Sequence, residues 1–420
     1  MTKVLAMILA GGRVDELGSL TLYRPKSAVP FGGMFRIIDF PMSNLMHSGI
    51  EKVGILLQYR SSSIITQIGN GSSWDMIGRN RGAFVLPPYK AAGTKTWYMG
   101  TADAIYQNLE FIDDFDPELV LVLSGDHIYK MDYTRLIEYH LSKQADLTAA
   151  FTKVPMNSAH RFGLAEIDDT DGELGGQVLD YQEKPDRPSS QWASLTIYLF
   201  NKSSLLEILQ PLGKENRTIE IGKDIIPRML QKHKVYGYKF NDYWGYARTI
   251  DELWRCNMDT LGLNPKINLK KWELRTNLDH RKIRDRIPTL VTSSAHIENA
   301  IVPQGCTIEG EVRNSVLFPG VRIEKNASVE NSIVMFDSCI GSGSILHNVI
   351  IDTDVNIGND VRIGFDEKMK VTKANPRCTV IGQYSTIPNG TTIGRECRIG
   401  YRVDAQKLGK NDIKSGAIIE

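Results

Sequence analysis

A six-residue repeat of aliphatic side chains fills the last third of this chain and leaves few folds open to it. Ile345, Ile351, Ile357 and Ile363 are spaced by six, and so are Ile381, Ile387, Ile393 and Ile399. The gap from Ile363 to Ile381 is eighteen, three sixes, so the phase survives the interruption. Val302 and Ile308 share the spacing, as do Leu317, Ile323 and Val329, and Val334 with Ile340. Glycine follows directly at Gly341, Gly358, Gly364, Gly382, Gly394 and Gly400. An inward aliphatic every six residues marks a hexapeptide β-helix, each coil stacking on the last. A set of hairpins is the rival, and it does not account for a period held over so many positions.

The first part has a different rhythm. Val4-Leu5-Ala6-Met7-Ile8-Leu9 is a continuous apolar run of strand length, as a strand buried on both faces requires. Lys52 to Leu57 and Leu119 to Leu123 are two more, and helical patterns follow over Ser61 to Gln67 and Thr134 to Leu141. Repeated strand–loop–helix units predict an α/β domain with a mostly parallel sheet. Ligands of such sheets bind outside the carboxyl ends of the strands. Gly11 to Arg24 and Ser124 to Lys130 are therefore the segments in which to seek chemistry.

Charge narrows the function classes. The 420 residues carry 50 Lys plus Arg against 49 Asp plus Glu, a net +1 that offers no global field for nucleic acid or an anionic membrane. The basic stretch Arg281-Lys282-Ile283-Arg284 reads as solvated surface. No apolar run approaches bilayer length, and Val4 to Ala10 is too short for a signal peptide, so a cytoplasmic location is expected. The five cysteines form no C-x-x-C pair and read as reduced, packed thiols.

The first strand ends in Ala10-Gly11-Gly12-Arg13, and Arg24-Pro25-Lys26 follows. A glycine turn lets backbone N–H groups approach phosphate oxygens, and a nearby lysine neutralises them. By themselves these residues fit a plain tight turn equally well. Further strings accumulate: Leu20-Thr21, Ala28-Val29-Pro30-Phe31-Gly32-Gly33, Arg36-Ile37-Ile38-Asp39-Phe40-Pro41, Ser43-Asn44 and Ser48-Gly49-Ile50. Then come Trp97-Tyr98, Gly100-Thr101-Ala102-Asp103-Ala104, Gly125-Asp126-His127-Ile128-Tyr129-Lys130, Glu183-Lys184-Pro185 and Gly222-Lys223-Asp224. With these the chain resembles, over nearly its whole length, the glucose-1-phosphate adenylyltransferases, or ADP-glucose pyrophosphorylases.

The resemblance implies Mg²⁺-dependent transfer of a nucleotidyl group from ATP to α-glucose 1-phosphate, with pyrophosphate leaving, in glycogen or starch synthesis. Catalysis of that kind is charge neutralisation and positioning. By the same resemblance, Lys26 contacts phosphate and Asp126 holds the metal. Gly11, Gly12, Arg13, Arg24, Gly100, Thr101 and Ala102 attend the nucleotide. Glu183, Lys184, Ser194 and Glu220 attend the sugar phosphate. A homo-tetramer, or a hetero-tetramer with a related subunit, is implied too.

Two departures stand out. The family loop usually reads Gly-Gly-x-Gly-x-Arg-Leu, whereas Val14 and Glu16 stand here at the later glycine and the arginine. The family's Trp-x-Asp-Val-Gly-Thr is here Trp244-Gly245-Tyr246-Ala247-Arg248-Thr249, with Tyr246 at the acid position and Asp242 and Asp251 flanking. Tyr23 also replaces a basic residue that some relatives use for a phosphorylated activator. One reading is an active subclass whose triphosphate is held by Arg13, Arg24, Arg248 and Lys26. The other is a catalytically impaired regulatory subunit of a heteromeric enzyme. Another NDP-sugar pyrophosphorylase, with UTP or dTTP as donor, is a minor alternative. So is a hexapeptide acyltransferase, which needs a base at a subunit groove, and His296 and His347 are the candidates in the repeat.

The expected architecture is a Rossmann-like α/β nucleotidyltransferase domain over residues 1–250, a charged linker over 251–290, and a left-handed parallel β-helix over 291–420.

Overall fold

In the computed structural model every residue is described except 1, 13, 89–96, 216, 367, 369, 371, 373 and 374. Contacts divide the chain into two interleaved units. Met1–Gly12, Phe40–Ser61 and Ile68–Trp244 form the first, and Arg13–Asp39, Ser62–Gln67 and Gly245–Glu420 the second. No helix among the described residues is long and apolar enough to cross a membrane.

The first unit is built on ten strands: β1 (Val4–Leu9), β2 (Lys52–Leu56), β3 (Ile77–Gly78), β4 (Arg81–Leu86), β5 (Leu119–Ser124), β6 (Leu147–Lys153), β7 (Gly163–Ile167), β8 (Gly175–Glu183), β9 (Trp192–Asn201) and β10 (Val235–Lys239). They lie in the order β7-β8-β10-β6-β9-β5-β1-β2-β4-β3. The three apolar runs seen in the sequence are β1, β2 and β5, and with β4 they make a parallel block. Helices α1 (Ser62–Ile68) and α3 (Tyr133–Ser142) follow β2 and β5, and α2 (Thr101–Tyr106) lies between them in the chain.

Beyond β5 the sheet departs from the mostly parallel expectation. β9 enters antiparallel to both β5 and β6, and β7 and β8 pair antiparallel, leaving β6–β10 as the one parallel pair of that half. Alternating burial along β8 and β10 is the mark of strands with one solvated face, which antiparallel sheets tolerate.

Residues 290–420 form three parallel sheets, strands at equivalent positions of successive coils stacking in register, as a left-handed β-helix requires. The inward column of the first sheet includes Ile308, Ile323, Ile340, Ile357 and Ile387, all 0–1% exposed. The second sheet contributes Val312, Val329, Leu346, Ile363 and Ile393, and the third Leu317, Val334, Ile351, Ile381 and Ile399.

The period is therefore not uniform. Steps from the second to the third sheet are five residues at Val312–Leu317, Val329–Val334 and Leu346–Ile351, and six at Ile393–Ile399. Leu346, not Ile345, is the inward residue of its coil, so the six-spaced run that includes Ile345 is corrected at its first member. The eighteen-residue gap is one six-residue step with twelve residues added at a corner: Ile351 stacks on Ile381 and Ile363 on Ile393.

Most corners turn through a left-handed backbone position. One column of corners is Asn299, Asn314, Asn331, Asn348, Arg377, Glu396 and Gly416; another is Gly305, Gly320, Asp337, Asp354, Tyr384 and Arg402. Asn, Asp and Gly dominate because their short or absent side chains tolerate that region. The glycines that directly follow the aliphatics have a separate cause. A Cβ on Gly382 would sit 2.3 Å from the carbonyl oxygen of Gly400 in the next coil.

Residues 251–290 begin with helix α4 (Ile250–Met258), which starts at a capping box between Thr249 and Glu252, and continue as turns. Trp254 Nε1 donates to Asn331 O at 2.6 Å, and Asp251 accepts from Cys378 N at 3.2 Å. The basic stretch is less solvated than expected. Lys282 bridges Asp337 and Asp354 at 2.7 Å, and Ile283 is buried. All five cysteines are thiols, and four are buried.

Candidate functional site

In the first unit, the carboxyl ends of β1 and β5 lie side by side. Leu9 pairs with Ser124, and Gly125 N donates to Leu9 O at 2.9 Å. The glycine turn after β1 has two distinct requirements. A Cβ on Gly11 would meet Gln58 N at 2.7 Å, whereas none of the described residues lies within 4 Å of one on Gly12, which leaves room there for an approaching group. Asp126 follows β5. Its carboxylate accepts from the Ser124 hydroxyl and lies 3.4 Å from His127 Nε2. His127 is buried, donates Nδ1–H to Leu195 O at 3.1 Å and packs edge-on against Trp244.

Leu195 adjoins Ser194, whose Oγ lies 2.9 Å from Tyr198 OH. Tyr181, in the same core as Tyr198, donates to Glu183 Oε2 at 2.8 Å. Burial pushes the Tyr198 phenol up to about 12 and holds Tyr181 well above the usual phenol range, so both stay protonated. Gly222 closes over the carboxylate: a Cβ there would lie 2.1 Å from Glu183 Oε2. Lys184 follows in a left-handed conformation with its ammonium 3.6 Å from Glu183 Oε1 and its side chain half exposed.

Glu220 completes this wall. Thr101 donates both its N–H (3.0 Å) and its hydroxyl (2.5 Å) to Glu220 Oε2, and Ile221 N donates back to Thr101 Oγ1 at 3.0 Å. The Gly100–Ala102 segment and Glu220, assigned from sequence to opposite substrates, are thus one hydrogen-bonded structure. Asp224 holds it, accepting from Glu220 N at 2.8 Å and pairing with Arg217.

In the second unit, Lys26 is 1% exposed, donates Nζ–H to Tyr246 O and lies 4.9 Å from the Tyr246 ring centroid. Arg24 is committed elsewhere. Its Nη2 meets both carboxylate oxygens of Asp352 at 2.6 Å, and its Nε donates to Leu20 O. The sequence-based assignment of Arg24 to nucleotide phosphate is therefore not carried forward. Glu16 pairs with Arg248 at 2.8 Å, and Arg248 Nη1 donates to Tyr246 OH at 3.2 Å. Asp242 is exposed, and Asp251 is engaged by Cys378 N. Arg13 lies outside the described residues.

Comparison with known proteins bears on what these two sets of residues serve. Residues 5–262 match the nucleotidyl transferase family model, and residues 289–375 the GlmU-like C-terminal hexapeptide model. A glucose-1-phosphate adenylyltransferase of Thermotoga neapolitana is 41% identical over 100% of this chain and 99% of its own length. Those of Fervidobacterium nodosum (39%; 95% of this chain, 96% of the relative) and Acetivibrio thermocellus (37%; 98% and 96%) are similar over nearly as much.

The chain belongs to the glucose-1-phosphate adenylyltransferase family.

Nucleotidyltransferases of this kind generally use a divalent metal. Among the described residues no three His, Cys, Asp or Glu side chains are gathered to hold one. A Mg²⁺ ion does not need such a cage, since it takes one or two carboxylates together with substrate phosphates and water. Asp126 fits that requirement. For a glucose-1-phosphate adenylyltransferase family member, the side chains to which sequence reasoning gave no role are His127, which stands inside the Gly125–Lys130 string, and Tyr181 and Tyr198, which lie outside the quoted strings. Tyr181 had a faint signal, since residues two apart on a strand share a face with Glu183. Nothing in the comparisons supports an impaired subunit.

Proposed function

We propose that the protein transfers the adenylyl group of ATP to α-glucose 1-phosphate, releasing pyrophosphate and forming ADP-glucose for glycogen or starch synthesis. Family membership supports this, and one observation carries it to the level of residues. The Tyr181–Glu183 and Ser194–Tyr198 hydrogen bonds, with both tyrosines in one core, supply polar groups of the kind that recognise a polyol.

In this reading Glu183, Ser194 and Glu220 accept from and orient the sugar hydroxyls, and Lys184 meets the sugar phosphate. The glycine turn at Gly11 and Gly12, with Gly100, Thr101 and Ala102, receives the nucleotide, and Lys26 neutralises phosphate. Arg13 is kept as a nucleotide ligand from the sequence. Asp126 would hold Mg²⁺, which supplies charge neutralisation on the phosphates when bound. In-line attack by the sugar phosphate on the α-phosphorus needs no covalent partner from the protein. Assembly into a tetramer is part of the same reading, and the half-exposed edge strands Leu290–Val291 and His296–Glu298 support it.

The test is pyrophosphate release by the purified chain with ATP, glucose 1-phosphate and Mg²⁺, with UTP and dTTP in parallel. Turnover with ATP alone is the expected result. Turnover restricted to UTP or dTTP would reassign the donor, and silence with all three would overturn the proposal.

A further inference from the structure

Strand β9 carries a bulge where it passes the end of β5. From Ser194 to Tyr198 it advances four residues while its partner β6 advances two, from Phe151 to Ala149, and its pairing with β5 begins at Ile197. Thr196, inside the bulge, has φ 54°. A β-branched residue is an outlier in that left-handed region, and such conformations persist only where the surrounding structure holds them. Bulges beside active sites re-aim a side chain.

A bulge takes backbone groups out of the ladder, and each buried one needs another partner. The Leu195–Thr196 peptide has one at both ends: Leu195 O accepts from His127 Nδ1–H at 3.1 Å, and Thr196 N donates to Ser194 Oγ at 3.2 Å. A trans peptide is planar with its C=O and N–H pointing opposite ways, so these two bonds grip the ends of one rigid plate. Ser194 Oγ in turn lies 2.9 Å from Tyr198 OH. The second nitrogen of His127 lies 3.4 Å from Asp126 Oδ1. The imidazole is 4% exposed, with the Trp244 ring packed edge-on against it at 5.3 Å between centroids.

We propose that His127 is a positioning residue: through the Leu195–Thr196 peptide it sets Ser194 toward the sugar, from a place fixed beside Asp126. The proposal rests on the reading above, in which Ser194 attends the sugar. A hydroxyl on a strained bulge has no ladder to hold its direction, and the His127 bond to Leu195 O supplies that restraint. Removing the bond frees the plate to rock, and Ser194 Oγ moves with the N–H it accepts from.

Calorimetric titration of the full chain with ADP-glucose and with ADP, both in EDTA, tests this role without turnover. Asparagine places an amide nitrogen where histidine has Nδ1, and glutamine places one near Nε2, so the two variants separate the two contacts. His127→Gln should bind ADP-glucose roughly fivefold or more weakly, the size of one lost hydrogen bond, with ADP affinity unchanged. His127→Asn should restore ADP-glucose binding. In a Ser194→Ala background the His127→Gln loss should vanish, because a residue that acts through Ser194 then has nothing to act on. An unchanged ADP-glucose affinity in His127→Gln, a parallel loss of ADP, or a loss that adds to that of Ser194→Ala would each overturn the role. Should His127→Gln fail to fold, a His127→Asn chain that loses ADP-glucose but keeps ADP would overturn it as well. A wild type that binds ADP no more weakly than ADP-glucose in every background would overturn the sugar reading itself, and this role with it.

Discussion

Arg248 and Glu16, one residue from each of the chain's two departures from its family, are ion-paired at 2.8 Å, and Tyr246, the other substitution, accepts from the same guanidinium. The unusual acid and the unusual phenol are thus two ends of one contact, and Tyr246 extends it to Lys26 through its backbone carbonyl and ring.

Restoring the family's arginine should therefore not help. Glu16→Arg sets two guanidinium groups against each other where an attractive pair stood. Both side chains are more than a third exposed, so the pair contributes at most about 1 kcal/mol. The expected outcome is a KM for ATP raised roughly two- to fivefold, within that same ~1 kcal/mol. Steady-state kinetics that show a lower KM would mean that Glu16 opposes the nucleotide.

Asp126→Asn keeps the shape of the side chain and removes its charge. Pyrophosphate release should fall by roughly 10²–10³-fold or more while the melting temperature stays within a few degrees. Near-normal turnover would dismiss Asp126 as the metal carboxylate.

Tyr181→Phe deletes the donor to Glu183 without changing the ring. A hydrogen bond to a charged group contributes about 1.5–3 kcal/mol. KM for glucose 1-phosphate should rise tenfold or more on that scale, with KM for ATP little changed. Equal losses for both substrates would reduce the Tyr181–Glu183 bond to a folding element.

The cluster around Arg36 predicts a pH signature. Burial, then the Arg36 charge, depresses His280 to about 3, while burial raises Asp39 to about 6. The histidine contribution to stability is complete above 6.5 and is lost as pH falls toward 3. The aspartate contribution has the opposite sign, present below 3.8 and lost as pH rises through 6. His280→Gln removes the first and leaves the second. Thermal melts from pH 7 to 4 should show the wild type losing stability on acidification more steeply than the variant, and parallel curves would refute the assignment.

Leu346→Ala should cost about 2–5 kcal/mol, as deletion from a packed core does. Ile345→Ala, one residue away but outside the inward column, should cost far less. Denaturant unfolding of the two variants decides which residue carries the coil.

That pair also shows where the sequence was legible. A period of six identified the β-helix, because every coil repeats the same inward demand. It misassigned Ile345 because a five-residue step and a six-residue step look alike when two aliphatics, Ile345 and Leu346, stand side by side. The parallel block β1, β2 and β5 was equally plain, since strands buried on both faces are unbroken apolar runs. The antiparallel half was not, because one-sided strands such as β8 alternate and are interrupted by polar residues. Site motifs near Asp126, Glu183 and Glu220 were readable as strings. Their supports Tyr181 and Tyr198 were not, because only the fold brings the two phenols into one core. Nor did composition hint that Asp352 would take Arg24 from 328 residues away.

Between Ile363 and Ile381 the sequence has twelve extra residues, two repeat lengths, and the strands on either side stack in phase. Such an interval works as a splice junction. Whatever is inserted there can be exchanged, lengthened by whole repeats or removed without refitting the stacked coils on either side. Natural variation, and protein engineering, can thus rewrite the surface of this domain at one address while the aliphatic columns inside it stay as they are.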